Sequence, residues 1–431
     1  MTTPYPLLVD PLTGIVRRLV DVAPTPGTPR RYRAVTAEVA DARRLGAWPA
    51  DRVSLGTTFG DVDAARAAAV GEAVERYCGN RVPPGLRTAT AAELRAEGVR
   101  HLGPDDLPFF TAEQHSWPGF PYQPFTEDLP IAWAEGDERG ERCLAPASWV
   151  YLNYHSGARR EEPRLHHLNY AGIATGTSAE DAATRALLEL VERDALERWW
   201  HLGAPTAGIP VSSVPGLAAE LEGCPLDVHL VELPTEHPVS CVAAVAVDRE
   251  TGIVAGGGAA RFDPVEACVK AVLEAVHTWI FTQGLLEEDG WVFQSIRAGI
   301  LAEGLYLPHR ADRAYRDLVG ENHGAVRDLG AQVQVWLDPR VQADLLGRFT
   351  SPDRTVGLER RGDAEDLRAS LAGERVVTVD LTTPDVAEAG LSVIRVCATG
   401  LVPNAPAAFR YLGLPRWGDT STFVAEPPPF L

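Results

Sequence analysis

Apolar residues recur at helical spacing in three stretches, and in each an acidic residue interrupts the apolar stripe at the same place. Residues 62–78 read VDAARAAAVGEAVERYC, residues 179–200 read AEDAATRALLELVERDALERWW, and residues 264–282 read PVEACVKAVLEAVHTWIFT. The spacing predicts a helix over each. Asp61 or Asp63 caps the first, Thr177 or Ser178 the second, and Pro264 opens the third. Runs rich in Val, Ile and Thr predict strands at 53–59, 130–136, 141–145, 169–176, 226–232, 241–248, 376–381 and 391–396. A hairpin-like opening is expected over 1–35 around turns at Asp10-Pro11 and Thr13-Gly14, with a loop at 24–30. The Pro- and aromatic-rich stretch 117–126 is excluded from a helix interior, and 312–347 is expected to be charged and mostly helical. The recurring strand–helix order predicts α/β or α+β architecture built from related units.

The acids are the informative part. Side chains three apart share a helix face, so Glu72 lies beside Glu75 and Glu189 beside Glu192. The third helix carries Glu274 and then His277 at the place of the second glutamate. Apolar neighbours surround these acids: Ala69, Val70 and Val74 on one helix, Leu187, Leu188, Leu190 and Val191 on another. Ordinary surface pairs with Arg76 and Arg193 would contribute only a few tenths of a kcal/mol each. A helix apolar nearly all round is a buried one, and a buried carboxylate needs a cation or a metal. Two such helices facing one another predict a carboxylate cluster suited to hard divalent cations and the phosphates they bridge. His277 would face the same centre; a satisfied core histidine is the alternative. Gly56 and Gly60, and Gly172 and Gly176, bracket segments ahead of the first two helices and suggest turns with backbone N–H groups for phosphate. Neither is a Walker A loop, and no GxGxxG pattern occurs. His166 and His167 read as a polar surface loop.

Composition narrows the class. The chain has 431 residues, 45% hydrophobic and 23% charged, as in a soluble globular protein. A formal charge of −19 argues against a nucleic-acid surface. No apolar run reaches membrane-spanning length, and no signal peptide is apparent. Six scattered cysteines without a CxxC pair point to free thiols in a reducing cytoplasm. The Pro-rich end, PPPFL, is expected to dock.

On these residues the chain resembles the YcaO-domain family, and within it the azoline-forming peptide cyclodehydratases. The carrying segments are LVDPLTGIVR at 8–17, GEAVERY at 71–77, GIATGTSAEDAATRALLELVERDALERWW at 172–200, ARFDPVEACVKAVLEAVHT at 260–278, RVCATGLVPNAP at 395–406, RYLGLPR at 410–416 and the Pro-rich end. The resemblance implies one YcaO catalytic unit over 1–431: an N-terminal hairpin segment (1–50), an ATP-binding core (51–416) and a tail (417–431). It implies ATP and Mg2+ as cofactors. Glu72, Glu75, Glu189 and Glu192 would hold metal; with Arg76, Arg193, Glu274, His277 and Ser178 they would bind the nucleotide. Arg395 and the terminal carboxylate of Leu431 would be catalytic. The implied reaction turns Cys, Ser or Thr of a ribosomal precursor peptide into thiazolines or oxazolines by phosphorylating a backbone amide oxygen. Thioamide or amidine formation, and a non-catalytic scaffold that binds peptide, are the alternatives. A separate E1-like or ocin-ThiF-like protein would present the leader peptide, and a homodimer is expected. The chain departs from the family pattern at Ala68, where serine is usual, at Thr58, where a basic residue is usual, at His277, where glutamine is usual, and in its non-alternating tail.

Overall fold

A computed structural model describes residues 5–41, 53–420 and 423–431. Its strands are β1 (Val16–Asp21), β2 (Tyr32–Val39), β3 (Val53–Phe59), β4 (Arg87–Ala89), β5 (Ile131–Glu138), β6 (Glu141–Pro146), β7 (Ile173–Gly176), β8 (Ala207–Ile209), β9 (Asp227–Glu232), β10 (Ser240–Asp248), β11 (Ile253–Arg261), β12 (Arg354–Thr355), β13 (Val376–Asp380) and β14 (Ser392–Ala398). They form three sheets, ordered β1-β2-β3, β11-β10-β9-β8-β12, and β4-β5-β13-β14-β7 with β6 also on β5. All neighbouring pairs are antiparallel except β8 and β12. The mixed α/β architecture expected from the strand–helix order is present.

Each sheet has a strand at one end that leads into a long helix. β3 feeds the first helix (Val62–Asn80), β7 the second (Ala179–His201) and β11 the third (Pro264–Gln283). The starts follow from local chemistry. Asp61 accepts from Ala64 N (2.9 Å), Ser178 from Asp181 N (3.1 Å) and Asp263 from Val265 N (2.7 Å), each pairing a main-chain donor the first turn leaves open. Each helix packs on its own strand and also on the strand of the following unit: the first on β7, the second on β11, the third back on β3. The three units thus close a ring. Its core holds Trp199, Trp200, Trp279 and Trp336, all fully buried.

The model also corrects several sequence expectations. Val9 makes one parallel bridge to Val16, and the antiparallel partner of β1 is β2, which the periodicity did not reveal. Residues 169–172 precede β7 instead of belonging to it. Gly56 lies inside β3, so it is a strand interior and not a phosphate turn. Residues 312–347 are broken into short helical pieces, including Leu329–Val335 and Pro339–Leu345. His166 is buried and His167 half-buried in an aromatic cluster. The first bonds Ser148 Oγ (3.0 Å), the second Tyr122 Oη (2.9 Å), and the second also stacks on Phe409. Burial pushes their pKa down, to about 3 and about 4, so neither behaves as a surface histidine. All six cysteines are free, as expected. Of the N-terminal segment, residues 1–4 and 42–50, with its expected boundary at 50–51, lie outside the described residues, as do tail residues 421 and 422.

Glycine sets how closely helix and strand approach. A Cβ on Gly56 would lie 1.9 Å from Ala65 O, and one on Gly257 2.2 Å from Ala275 N, both rigid main chain. Gly56→Ala and Gly257→Ala should therefore each push a helix off its strand and destabilise by about 1–3 kcal/mol. Gly71→Ala, with nothing within 4 Å of its new Cβ, should not destabilise. Thermal melting of the three variants checks this.

Candidate active site

The acidic residues of the three helices converge where the ring closes, and main-chain amides hold them there. Glu72 accepts from Leu55 N (2.8 Å) and Glu189 from Gly172 N (3.0 Å), each seventeen residues upstream and leading into its own helix. The second glutamate of each pair reaches into the next unit: Glu75 accepts from Thr175 N on β7 (2.7 Å) and Glu192 from Ala260 N on β11 (3.0 Å). β3, β7 and β11 are terminal strands of their sheets, so these carboxylates pair amides on the free edges.

Two layers result. Glu72, Glu189 and Glu274, one from each helix, have side chains 34%, 31% and 33% exposed and form the open layer. Glu75, Glu192 and His277 form the inner layer, with Glu192 only 6% exposed. Burial, partly offset by Arg76, and repulsion from Glu189 and Glu72 raise the pKa of Glu75 to about 8. Burial, partly offset by Arg193, and repulsion from Glu274 and Glu189 raise that of Glu192 to about 7. Glu192 Oε1 is buried and makes no hydrogen bond. Burial works against the charge of Glu274 too, but Lys270, Arg193 and Arg261 outweigh it and hold its pKa below the usual range. His277 is kept uncharged by burial despite the attraction of Glu72 and Glu274. The mutual influence of these groups shows that they share one locus.

The arginines hold the acids in place. Arg76 pairs with Glu72 (3.2 Å) and lies over the Tyr170 ring (4.6 Å); Arg193 pairs with Glu192 (3.2 Å) and Glu189 (3.8 Å). Sequence reasoning missed Lys270, whose Nζ lies 3.1 Å from Glu274 Oε1. It is the only lysine of the chain, and that singularity was the available signal. As a half-exposed i,i+4 pair with lysine on the N-terminal side, it contributes little to helix stability, roughly a few tenths of a kcal/mol.

Two expected site residues have other tasks. Arg395 is fully buried and donates to the carbonyls of Trp149 (2.7 Å), Asn169 (3.0 Å), Ala171 (3.0 Å) and Tyr170 (3.3 Å). Its guanidinium is engaged with main chain and holds the segment ahead of β7. Ser178 is exposed, and its hydroxyl accepts the cap bond of the second helix. The tail docks as expected. Successive carbonyls are gripped: Val424 by His201 Nδ1 (2.6 Å), Ala425 by Arg410, Glu426 by Trp200 Nε1 (2.8 Å), Pro427 by Trp336 Nε1 (2.7 Å) and Pro429 by Gly256 N (2.6 Å). Phe430 is buried and Leu431 packs partly buried against the core. The tail thereby reaches β11 two residues from Gly258, whose Cα faces Glu192 Oε1.

Among the described residues, no three His, Cys, Asp or Glu side chains already stand at metal-caging distance. The donor set still fits Mg2+, which is usually bound by one or two carboxylates together with nucleotide phosphates and water, and seldom by an all-protein cage. Hard oxygen donors and carboxylates desolvated beyond what their arginines offset both accommodate added positive charge.

Edge-strand units ringing a carboxylate cluster define a nucleotide- and cation-binding class of fold, and comparison with known proteins agrees. Residues 59–402 match the family described as YcaO cyclodehydratase, ATP- and Mg2+-binding. The chain belongs to the YcaO family. It is 28% identical over 226 residues to an uncharacterized protein of Methanothermobacter thermautotrophicus; the match covers 50% of this chain and 54% of that protein, so the chain spans about half the relative's length. Its fold is similar to that of a heterocyclase in complex with substrate and cofactor (TM-score 0.67, 20% identity, 100% of this chain and 57% of that one). It is also similar to a chain of the Escherichia coli microcin synthetase McbBCD complex with pro-MccB17 bound (TM-score 0.59, 13% identity, 97% and 99%).

The raised carboxyls give a pH signature. A carboxyl whose folded pKa lies above its unfolded value stabilises the protein below the unfolded value, and that stability is lost as pH rises through the folded pKa. Between pH 6.5 and 8.5 the melting temperature of Glu75→Gln should therefore rise relative to wild type, on the order of 2 °C. The difference should shrink when Mg2+ and nucleotide are present. Melts of both proteins across this range are the measurement.

Proposed function

We propose that this chain is an ATP- and Mg2+-dependent cyclodehydratase acting on a ribosomal precursor peptide. The observation that carries the reading is the part-exposed carboxylate layer of Glu72, Glu189 and Glu274, one acid from each unit. Residues 51–416 form the ATP-binding core. Glu72 and Glu189, with Glu75 and Glu192 behind them, would hold Mg2+, which would supply positive charge to the nucleotide phosphates and to the phosphoryl group in transfer. Lys270 adds a point charge at the rim.

In the peptide, a Cys, Ser or Thr side chain attacks the preceding carbonyl carbon, and its proton leaves. The former carbonyl oxygen displaces ADP from the γ-phosphorus. Expulsion of phosphate with loss of the amide proton leaves the C=N bond of an azoline. Phosphate leaves where hydroxide would not, which is the chemical reason for the nucleotide. The tail's hold on Gly256 supports a place for Leu431 beside this chemistry. A separate leader-binding E1-like protein presents the peptide, in line with a similar chain occurring in a microcin synthetase complex, and the enzyme works as a homodimer in the cytoplasm. Among the described residues no helix is long and apolar enough to cross a membrane.

Glu189→Gln keeps an acceptor for Gly172 N–H and removes only charge. It should lower turnover by about 100-fold or more with the fold intact, and wild-type product should be lighter than substrate by one water per ring. Unchanged turnover, or an exchange of oxygen for sulfur in the product, would sink the reading. A second measurement needs no substrate peptide. Pyridoxal phosphate with borohydride should modify Lys270, and Mg2+ with nucleotide should protect it, as read from the peptide mass.

A further inference from the structure

The first two helices are built on one frame, and the third departs from it: Glu274 pairs with Lys270 and not with Gly257 N, and His277 stands at the place of the second glutamate. Glu75 bonds Thr175 N, three residues after Gly172, the residue bonded by Glu189; Glu192 bonds Ala260 N, three after Gly257, which lies seventeen residues before Glu274. At the third junction the same count places His277 opposite Thr58, three after Leu55, the residue bonded by Glu72. The third helix does pack on β3. No latch forms there: the Thr58 hydroxyl is turned to Asp61 O, and the His277 ring makes no hydrogen bond among the described residues. The imidazole thus stands half-buried and without a hydrogen bond, close to Glu72 of one helix and to Glu274 and Lys270 of its own. Buried Glu192, paired through Oε1 with Arg193 (3.2 Å), faces the same cluster.

We propose that His277 is a nitrogen ligand, beside Glu72 or Glu274, of a divalent cation at this third junction, and that the site therefore takes a first-row transition ion such as Mn2+ in preference to Mg2+. The inference rests on the nucleotide reading above. Two protein donors leave the rest of an octahedral shell to phosphate oxygens and water, which agrees with the lack of a ready-made three-residue cage. Mg2+ favours oxygen donors, whereas an imidazole nitrogen raises affinity along the transition series. A glutamate at this place would give an all-oxygen site.

The test is pulsed electron paramagnetic resonance of the full chain loaded with Mn2+ and a non-hydrolysable ATP analogue. Protein made with 15N-histidine separates imidazole coupling from that of the nucleotide base. The proposal expects a histidine nitrogen coupling in wild type that is lost in His277→Gln. It also expects the Mn2+-over-Mg2+ preference in competition to fall about tenfold in that variant. The wild-type spectrum alone keeps the proposal falsifiable if the variant folds poorly. Binding of cation and nucleotide without histidine coupling, or an unchanged preference in His277→Gln, overturns the ligand assignment and leaves the nucleotide reading standing. Failure of Mn2+ and Mg2+ alike to support nucleotide binding overturns both.

Discussion

An amide N–H on the free edge of a sheet must find an acceptor, and here the acceptors are glutamates sent from helices. Leu55, Gly172, Thr175 and Ala260 each donate to one. The bond does two things at once. It satisfies edge groups that would otherwise invite another strand, and it fixes a carboxylate to within a hydrogen bond of a rigid strand. The glutamates are thereby aimed before any ligand arrives, which is the condition for precise cation placement. The cost is desolvated negative charge, seen in the raised pKa of Glu75 and Glu192. Arg76 and Arg193 offset part of it and leave the rest to a ligand.

Structure and chemistry are therefore carried by the same side chains, but unequally. The inner glutamates join one unit to the next, and their loss would open the ring. Of the outer ones, Glu72 and Glu189 bond backward to their own strand or its lead-in and stand a third exposed. Where a glutamine replaces an outer glutamate the amide oxygen still accepts from the strand, so charge and scaffold separate cleanly at those positions. Lys270 completes the pattern from the third helix. Arginine there would clamp Glu274 in a bidentate pair, whereas an ammonium on a flexible stem leaves the acid available.

Much of this was legible in the sequence because it is local. The helix starts at Asp61 and Ser178 are capping chemistry, and the strands β3, β5, β6 and β10 follow from composition and turns. The repeat of acids on apolar stripes identified the cluster. What stayed hidden is long-range. No periodicity shows that Glu75 reaches Thr175 across a hundred residues, or that β2 pairs both β1 and β3. Gly56 read as a turn residue because glycine serves both turns and close crossings, and only the packing of helix on strand separates the two. His166 and His167 looked polar because a sequence does not show that Trp149, Tyr411 and Phe409 close over them.

The tail follows the same logic from the other side. Its grip is on main-chain carbonyls, by His201, Arg410, Trp200, Trp336 and Gly256, and its side chains add the burial of Phe430, the stacking of Phe423 on His201 and the pairing of Glu426 with Arg316 (2.6 Å). Recognition of that kind needs an extended segment whose carbonyls turn outward and whose own N–H groups make few demands. Consecutive prolines supply both, since they lack the donor and favour an extended backbone. Strict Pro alternation is then unnecessary for docking, and PPPFL is seated as firmly as an alternating tail would be. The segment ends its run on β11, the strand that also binds Glu192, so any displacement of the tail exposes an edge amide at Gly256 beside the cluster. Docking of the tail and integrity of the carboxylate ring are for this reason linked through one strand edge.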